Sequence, residues 1–305
     1  MFRKARRHAG LDRSADAPVV TDPRAIQAAA GAPFDIADLT AMPRARNEAV
    51  IRNLCVSTYL GGTDALCRVL GRYKLVADTD DHTVSMHLLL DGYWEMWLTE
   101  AIAALVKPGM KAVDAGANLG YFSLLMADLV GPSGSVHCFE PNPHMARRLR
   151  TSLAMNGFAE RAPVHQLALG EHARTATLRM PAHEPGAASI ALDVAPTQTL
   201  DVRVERLDAI AGMRDADFIK IDVEGAETEM WRGMGDMLKN RRPLTVVMEF
   251  LARRYADPAA FLGEMSAAGF AMSVIEPGGG IVPHTSEQLL TRPGGHDHLL
   301  LLTRA

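Results

Sequence analysis

The chain has 305 residues, 48% hydrophobic and 22% charged, with a formal net charge of -4, a composition that fits one large globular domain or two modest ones. Its acidic balance argues against a general nucleic-acid partner, which needs a clustered cationic surface. No apolar run approaches the length of a membrane span, so stable membrane insertion is not expected.

Residues 1–45 are rich in Ala, Arg, Asp and Pro and are read as a flexible basic head passing into short helical pieces. Arg3, Lys4, Arg6 and Arg7 precede no apolar stretch, so a solvated tail is expected rather than a secretory leader. Residues 46–90 are expected to form a cap. Val50, Ile51, Leu54, Cys55, Thr58 and Tyr59 recur at helical spacing up to a stop at Gly61-Gly62, and Tyr73–Ala77 and Thr83–Leu90 read as strands around a polar turn. Trp94–Val106 is predicted to be a helix with Trp94, Trp97, Leu98, Ile102 and Leu105 on one face, stopped by Pro108-Gly109.

Strand and helix then alternate as an open parallel sheet requires. The predicted strands are Lys111–Asp114, Ser135–Glu140, Val164–Leu169, Phe218–Asp222 and Leu244–Glu249. Asn142 and Pro143 open a helix with Met145, Leu149 and Leu153 inward and Arg147, Arg148 and Arg150 toward water. Thr175–Met180 and Asp201–Arg206 read as an antiparallel insertion around a Pro/Gly/Ala-rich loop, and Phe270–Ile275 with His298–Leu302 as an antiparallel C-terminal hairpin.

The stretch Val113-Asp-Ala-Gly-Ala-Asn-Leu-Gly-Tyr121 carries the most chemistry. An apolar strand ends in Asp114, and Gly116, Asn118 and Gly120 turn the chain into a helix beginning at Tyr121. A dinucleotide fingerprint would put a third glycine there to cradle a pyrophosphate, whereas a carboxylate would repel phosphates. S-adenosylmethionine has no phosphate, and its ammonium and sulfonium suit an acidic strand end. Glu140 ends the next strand about 20 residues beyond Gly120, where such a sheet presents an acid to ribose hydroxyls.

Asp114 to Tyr121, then Phe139-Glu-Pro-Asn-Pro143, and above all Phe218-Ile-Lys-Ile-Asp-Val-Glu-Gly-Ala-Glu227 resemble the FkbM family of S-adenosylmethionine-dependent methyltransferases. The resemblance spans about residues 90–302. It implies an α/β fold with a Rossmann-like class I methyltransferase sheet over residues 91–305, and a hydroxyl of a glycan, polyketide or related small molecule as acceptor. The cofactor set it suggests is Asp114, Gly116, Asn118, Gly120, Tyr121, Glu140, Pro141 and Ala168.

Methyl transfer to an alcohol calls for alignment and a base. Ligands of open α/β sheets lie beyond the carboxyl ends of the strands, which makes Asp222 the first candidate, with Glu224 and Glu249 beside it. Glu227 serves a helix dipole as readily as catalysis, Lys220 is read as a strand lysine paired with an acid, and Asp208 as an N-cap. Ser189, Trp94 and Glu95 could border the acceptor; His82, His87, His296 and His298 sit near loops that could cover the cleft; and His165 is read as structural. No histidine pair has metal-site spacing on a predicted helix, so no metal is implied. Three scattered cysteines, Cys55, Cys67 and Cys138, match neither a disulfide framework nor a zinc ligand set and fit a reducing cytoplasm. The expectation is a cytoplasmic S-adenosylmethionine-dependent O-methyltransferase, with pairing of chains left open. The rival readings are an N-methyltransferase on a small amine, a nicotinamide-dependent oxidoreductase and a non-catalytic cofactor-binding protein.

Overall fold

A computed structural model describes residues 33–191, 196–291 and 298–305. Its largest sheet has eight strands in the order β13-β12-β14-β11-β10-β4-β5-β6. β4 (Lys111–Ala115), β5 (Ser135–Phe139), β6 (Val164–His165), β10 (Phe218–Ile221) and β11 (Leu244–Phe250) run parallel. β14 (His298–Arg304) inserts antiparallel between β11 and β12 (Ala271–Ile275), as the apolar C-terminal runs predict. A short strand that the sequence reading missed, β13 (Ile281–Pro283), extends that edge.

Both faces of the sheet are covered. One apolar core packs beneath the helices Met96–Leu105, Tyr121–Leu129 and Pro143–Met155, with Leu98, Ile102, Leu124, Leu125, Leu149 and Leu153 buried. The other lies beneath Glu227–Arg232, Gly235–Lys239 and Pro258–Ala267, centred on Trp231, Phe250 and Phe261. That is why the parallel strands read as continuous apolar runs rather than as alternation.

The predicted strand Val164–Leu169 divides in two. β6 ends at His165, and β7 (Ala168–Leu169) pairs instead with β9 (Gln198–Glu205), itself antiparallel to β8 (Arg174–Met180). Gln166 stands at the break, where the His165 carbonyl takes the N–H of both Glu140 and Leu167 and so bends the chain away. The expected insertion is therefore present, and it recruits the end of a core strand.

The N-terminal part corrects three expectations. Order begins within the segment read as a flexible head: Phe34, Ile36 and Leu39 are buried, and helices run Asp38–Ala41 and Arg44–Leu54. The second helix stops at Leu54, and β1 (Ser57–Gly61) follows where a continuing helix is predicted. Thr58 and Tyr59 favour extended backbone, and Gly61 and Gly62, at φ 106° and 60°, turn β1 into β2 (Asp64–Val69). Thr83–Leu90, predicted as a strand, is a helix over Val84–Leu90. The Asp81 carboxylate takes the N–H of Thr83 and Ser85 and so caps the first turn, a local effect that outweighs the alternating pattern.

β3 (Tyr73–Asp78) completes the cap meander and lies along the helix Pro143–Met155. Ser152 Oγ accepts from Val76 N, and the Asn156 side chain bonds both N–H and carbonyl of Lys74. Arg148, expected in water with Arg147 and Arg150, is only 3% exposed. It lies on the same flank as Ser152 and Asn156 at helical spacing, and its guanidinium is 2.8 Å from Asp64 and 2.7 Å from Asp78. Burial alone would raise the Asp64 carboxyl, but the bonds from Arg147 and Arg148 outweigh it and hold it below its usual range.

Among the described residues no helix is long and apolar enough to cross a membrane, and Cys55, Cys67 and Cys138 are free thiols. Arg148→Ala is expected to lower unfolding free energy by about 3 kcal/mol, because it strands carboxylates that folding has partly buried. Arg147→Ala, whose side chain is 52% exposed, should lower it by less than about 1 kcal/mol. Urea denaturation of the two variants distinguishes them, and equal losses would contradict the clamp.

Candidate functional site

The turn after β4 is built by close approach. Gly116 has φ 76°, and a Cβ there would fall 1.7 Å from the carbonyl oxygen of Asp222, so the turns after β4 and β10 rest on each other. The N–H groups of Gly116 and Ala117 both reach Phe139 O at 3.0 Å, which fixes the turn to the end of β5. Asn118, at φ 48°, donates its N–H to Glu140 Oε2 at 2.8 Å, and Asn142 N donates to Oε1. Glu140 is 7% exposed; burial drives its carboxyl up to about 7, although the two backbone donors pull the other way.

These groups border a hollow of about 670 Å³, its mouth included, at the carboxyl ends of β4, β5 and β7. Of the predicted cofactor residues, Gly116, Asn118, Glu140, Pro141 and Ala168 line it. The insertion closes the other side with Leu178, Gly186 and Ile190, which the sequence reading did not name. Asp114, Gly120 and Tyr121 stand behind the wall. Asp114 is fully buried, with Oδ2 accepting from Ser123 Oγ at 2.6 Å and Oδ1 lying 3.5 Å from Lys220 Nζ, so it does not face the hollow as the sequence reading supposes. Burial raises its carboxyl, with Lys220 opposing. Gly120 packs on Leu149, and the buried Tyr121 hydroxyl bonds Thr99 Oγ1 at 3.1 Å.

A wider cleft of about 2060 Å³ adjoins the hollow and shares Asn118, Gly186, Asp222 and Glu224 with it. Trp94, Glu95, Trp97, Glu249 and His298 line the cleft, so two of the three residues weighed as an acceptor border, Trp94 and Glu95, lie on its wall. The helix starts at Met96 rather than Trp94 because Glu95 adopts φ 38° and ψ 67°.

The carboxylates here are held by cations. Lys220, 3% exposed, places Nζ 3.2 Å from Asp222 Oδ2 and 5.3 Å from the centre of the Phe122 ring. Burial works to lower the ammonium, but Asp222 and Asp114 outweigh it and raise it. Arg254 bridges Glu249 at 2.7 Å and Glu224 at 3.3 Å. It stands five residues past Glu249, in a short turn whose only sequence signal is the dibasic Arg253-Arg254.

Several weighed residues fall elsewhere. Ser189 is buried and donates to Glu224 O at 2.6 Å, holding the loop rather than lining the cleft. Asp208 does not cap its own turn; it pairs with Arg206 and accepts from Asp236 N, at the start of the helix Gly235–Lys239. Glu227 is buried and accepts from Gly225 N at 2.9 Å. His165 stacks on Phe139 and His137, and burial followed by the His165 charge presses His137 down to about 4. His87 lies against Asp91 and Trp94, while His296 is outside the described residues. Cys55 and Cys67 bond backbone carbonyls.

An open sheet with a glycine turn after one central strand, an acid at the end of the next and an antiparallel last strand inserted near one edge is the Rossmann-like fold of class I methyltransferases. The sequence model of the methyltransferase FkbM domain matches residues 114–272, more than half of the chain, which thus belongs to the FkbM methyltransferase family. Methyltransferase 1 of Beauveria bassiana is 27% identical over 191 residues, covering 54% of this chain and 74% of that protein. Methyltransferase sdnD of Sordaria araneosa is 28% identical over 156 residues, 41% of this chain and 60% of its own length. Among solved structures, P. horikoshii TYW2 in complex with MeSAdo superimposes with a TM-score of 0.46 at 13% identity, covering 81% of this chain and 72% of that one.

S-adenosylmethionine is the cofactor of this class, and the hollow fits it. Asn118 Oδ1 is buried without a hydrogen-bond partner, an acceptor suited to a ligand N–H or O–H, and Glu140 adds a carboxylate to the same wall. In the folded chain Glu140 titrates at about 7 against an ordinary 4.5, so between those values the folded state holds a proton that the unfolded state has lost. This group's contribution to stability therefore falls as pH rises through that window. Ribose hydroxyls bound at Glu140 would favour its ionised form, and cofactor affinity would then fall as pH is lowered through about 7, by up to about tenfold per unit. Calorimetry across that range should show the dependence flattened in Glu140→Gln; an identical profile in that variant would place the titrating group elsewhere.

Proposed function

We propose that the chain transfers the methyl group of S-adenosylmethionine to a hydroxyl of a glycan, polyketide or related small molecule, with Asp222 as the base. The observation that carries this reading is the position of Asp222, whose carboxylate stands where hollow and cleft meet, 43% exposed, with Lys220 on Oδ2. When bound, the cofactor supplies an electrophilic methyl group on a sulfonium. Gly116, Asn118, Glu140, Pro141 and Ala168 are assigned to holding it; Asp114, Gly120 and Tyr121 are assigned to supporting that wall from behind.

The chain's own part is alignment and proton removal. Lys220 fixes one edge of the Asp222 carboxylate through Oδ2, which leaves the other oxygen to accept the hydroxyl proton as the acceptor oxygen forms its new bond. Trp94 and Trp97 offer broad rings to the apolar faces of an acceptor, and Glu249 and Glu224, braced by Arg254, offer hydroxyl-binding oxygens in the same cleft. The buried thiols Cys67 and Cys138 support a reducing compartment, the cytoplasm.

Asp222→Asn should leave cofactor affinity nearly unchanged while lowering kcat by about 10² to 10⁴. Glu249→Gln should act mainly on acceptor KM. Mass spectrometry of extracts incubated with labelled cofactor supplies the acceptor, and steady-state kinetics then compare the variants. Loss of turnover in Glu249→Gln with near wild-type Asp222→Asn would move the base to Glu249.

A further inference from the structure

On the cap side of the cleft, two segments distant in sequence bring together Asp80, His82 and His183. Asp80 and His82 lie in the turn between β3 and the helix Val84–Leu90, and His183 in the turn after β8. His183 Nδ1 is 2.8 Å from Asp80 Oδ1, and the His82 and His183 rings stack at 4.7 Å with 5° between their planes. His82 N donates to His183 O at 2.9 Å, so the two turns are already joined through the backbone. One donor atom from each of the three side chains lies within 4.8 Å of the others.

We propose that Asp80, His82 and His183 bind a divalent transition-metal ion of the zinc type, which staples the cap to the insertion at the rim of the cleft. The ion pair joins Asp80 to His183, and the stacked ring of His82 adds a second imidazole to the same cluster. Two imidazoles and one carboxylate form a borderline donor set, which suits zinc, nickel or cobalt and not the harder magnesium or calcium. A tetrahedral zinc site spaces its donors about 3.4 Å apart, a small adjustment for exposed side chains, and water completes the shell. The scaffold is held from beneath: Asp78 Oδ1 accepts from Asp80 N, and Asp81 accepts from Thr83 and Ser85. No local histidine spacing reveals such a site, because its ligands are separated by about a hundred residues.

The position gives the ion a structural consequence. Thr83 and Val84 follow His82 directly, and Glu184, Gly186 and Ala187 follow His183; all five line the cleft. A bound ion would thus fix two stretches of the acceptor wall without touching the cofactor hollow's Glu140 or Pro141.

The test is calorimetric titration of the chelator-stripped full chain with zinc chloride, beside thermal melting and limited proteolysis of residues 181–191. The expected result is one ion per chain, a raised Tm, slower cleavage, and at least about tenfold weaker binding in His82→Gln and in His183→Gln. His172→Gln, an exposed histidine outside the cluster, should bind as the wild type does, and magnesium should not bind. Absence of stoichiometric zinc binding in the wild type, or unchanged affinity in the double variant His82→Gln/His183→Gln, would overturn the proposal.

Discussion

One buried ammonium lies at the centre of the parallel sheet, on the ladder between β4 and β10. Lys220 and Asp114 are register partners on neighbouring central strands, both buried, so removal of Lys220 leaves the Asp114 carboxylate without its cation in the apolar interior. The same ammonium reaches forward to Asp222 at the rim of the hollow. Structural anchoring and the placement of the candidate base are thereby carried by one side chain. A change at Asp114 would reach Asp222 through Lys220, and loss of cofactor binding in such a variant would not by itself mean that Asp114 touches the cofactor.

The same economy governs the backbone. The turn after β4 leans on the turn after β10 at Gly116, and on Glu140 through the Asn118 N–H. The ends of three adjacent strands therefore define one rigid floor, while the insertion and the cap supply the walls. Rigid floor and variable wall is the division expected of a fold that keeps one cofactor and changes its acceptor.

What was legible in the sequence follows from how local its causes are. Buried parallel strands appear as apolar runs, and Asn142-Pro143 opens its helix as capping chemistry requires. Thr83–Leu90 misled because an alternating pattern says nothing of a capping carboxylate two residues upstream, and Arg148 because a charged residue on a helix gives no sign of two acids contributed by a separate hairpin. At the site, Glu140, Asn118 and Asp222 fall on the hollow since strand ends point their chain there. Asp114, Gly120 and Tyr121 belong to the same motif yet fall behind it, because proximity in sequence does not determine which side of a turn a side chain occupies. Arg254 and Gly186 come from segments without periodicity and were visible only once the chain was folded.

The stitching of β3 to the helix Pro143–Met155 also sets an order of events during synthesis. Val76 waits for Ser152, 76 residues later, and Lys74 for Asn156, 82 residues later. When the cap meander leaves the ribosome, the outer edge of β3 has no partner, and the acids Asp64 and Asp78 have no guanidinium between them. The hairpin can form locally, but it can lock only after two further strands and four helices, the last of them Pro143–Met155 itself, have emerged. The nascent chain thus exposes an open strand edge for several seconds at ordinary elongation rates, and that interval is when a chaperone has the most to shield.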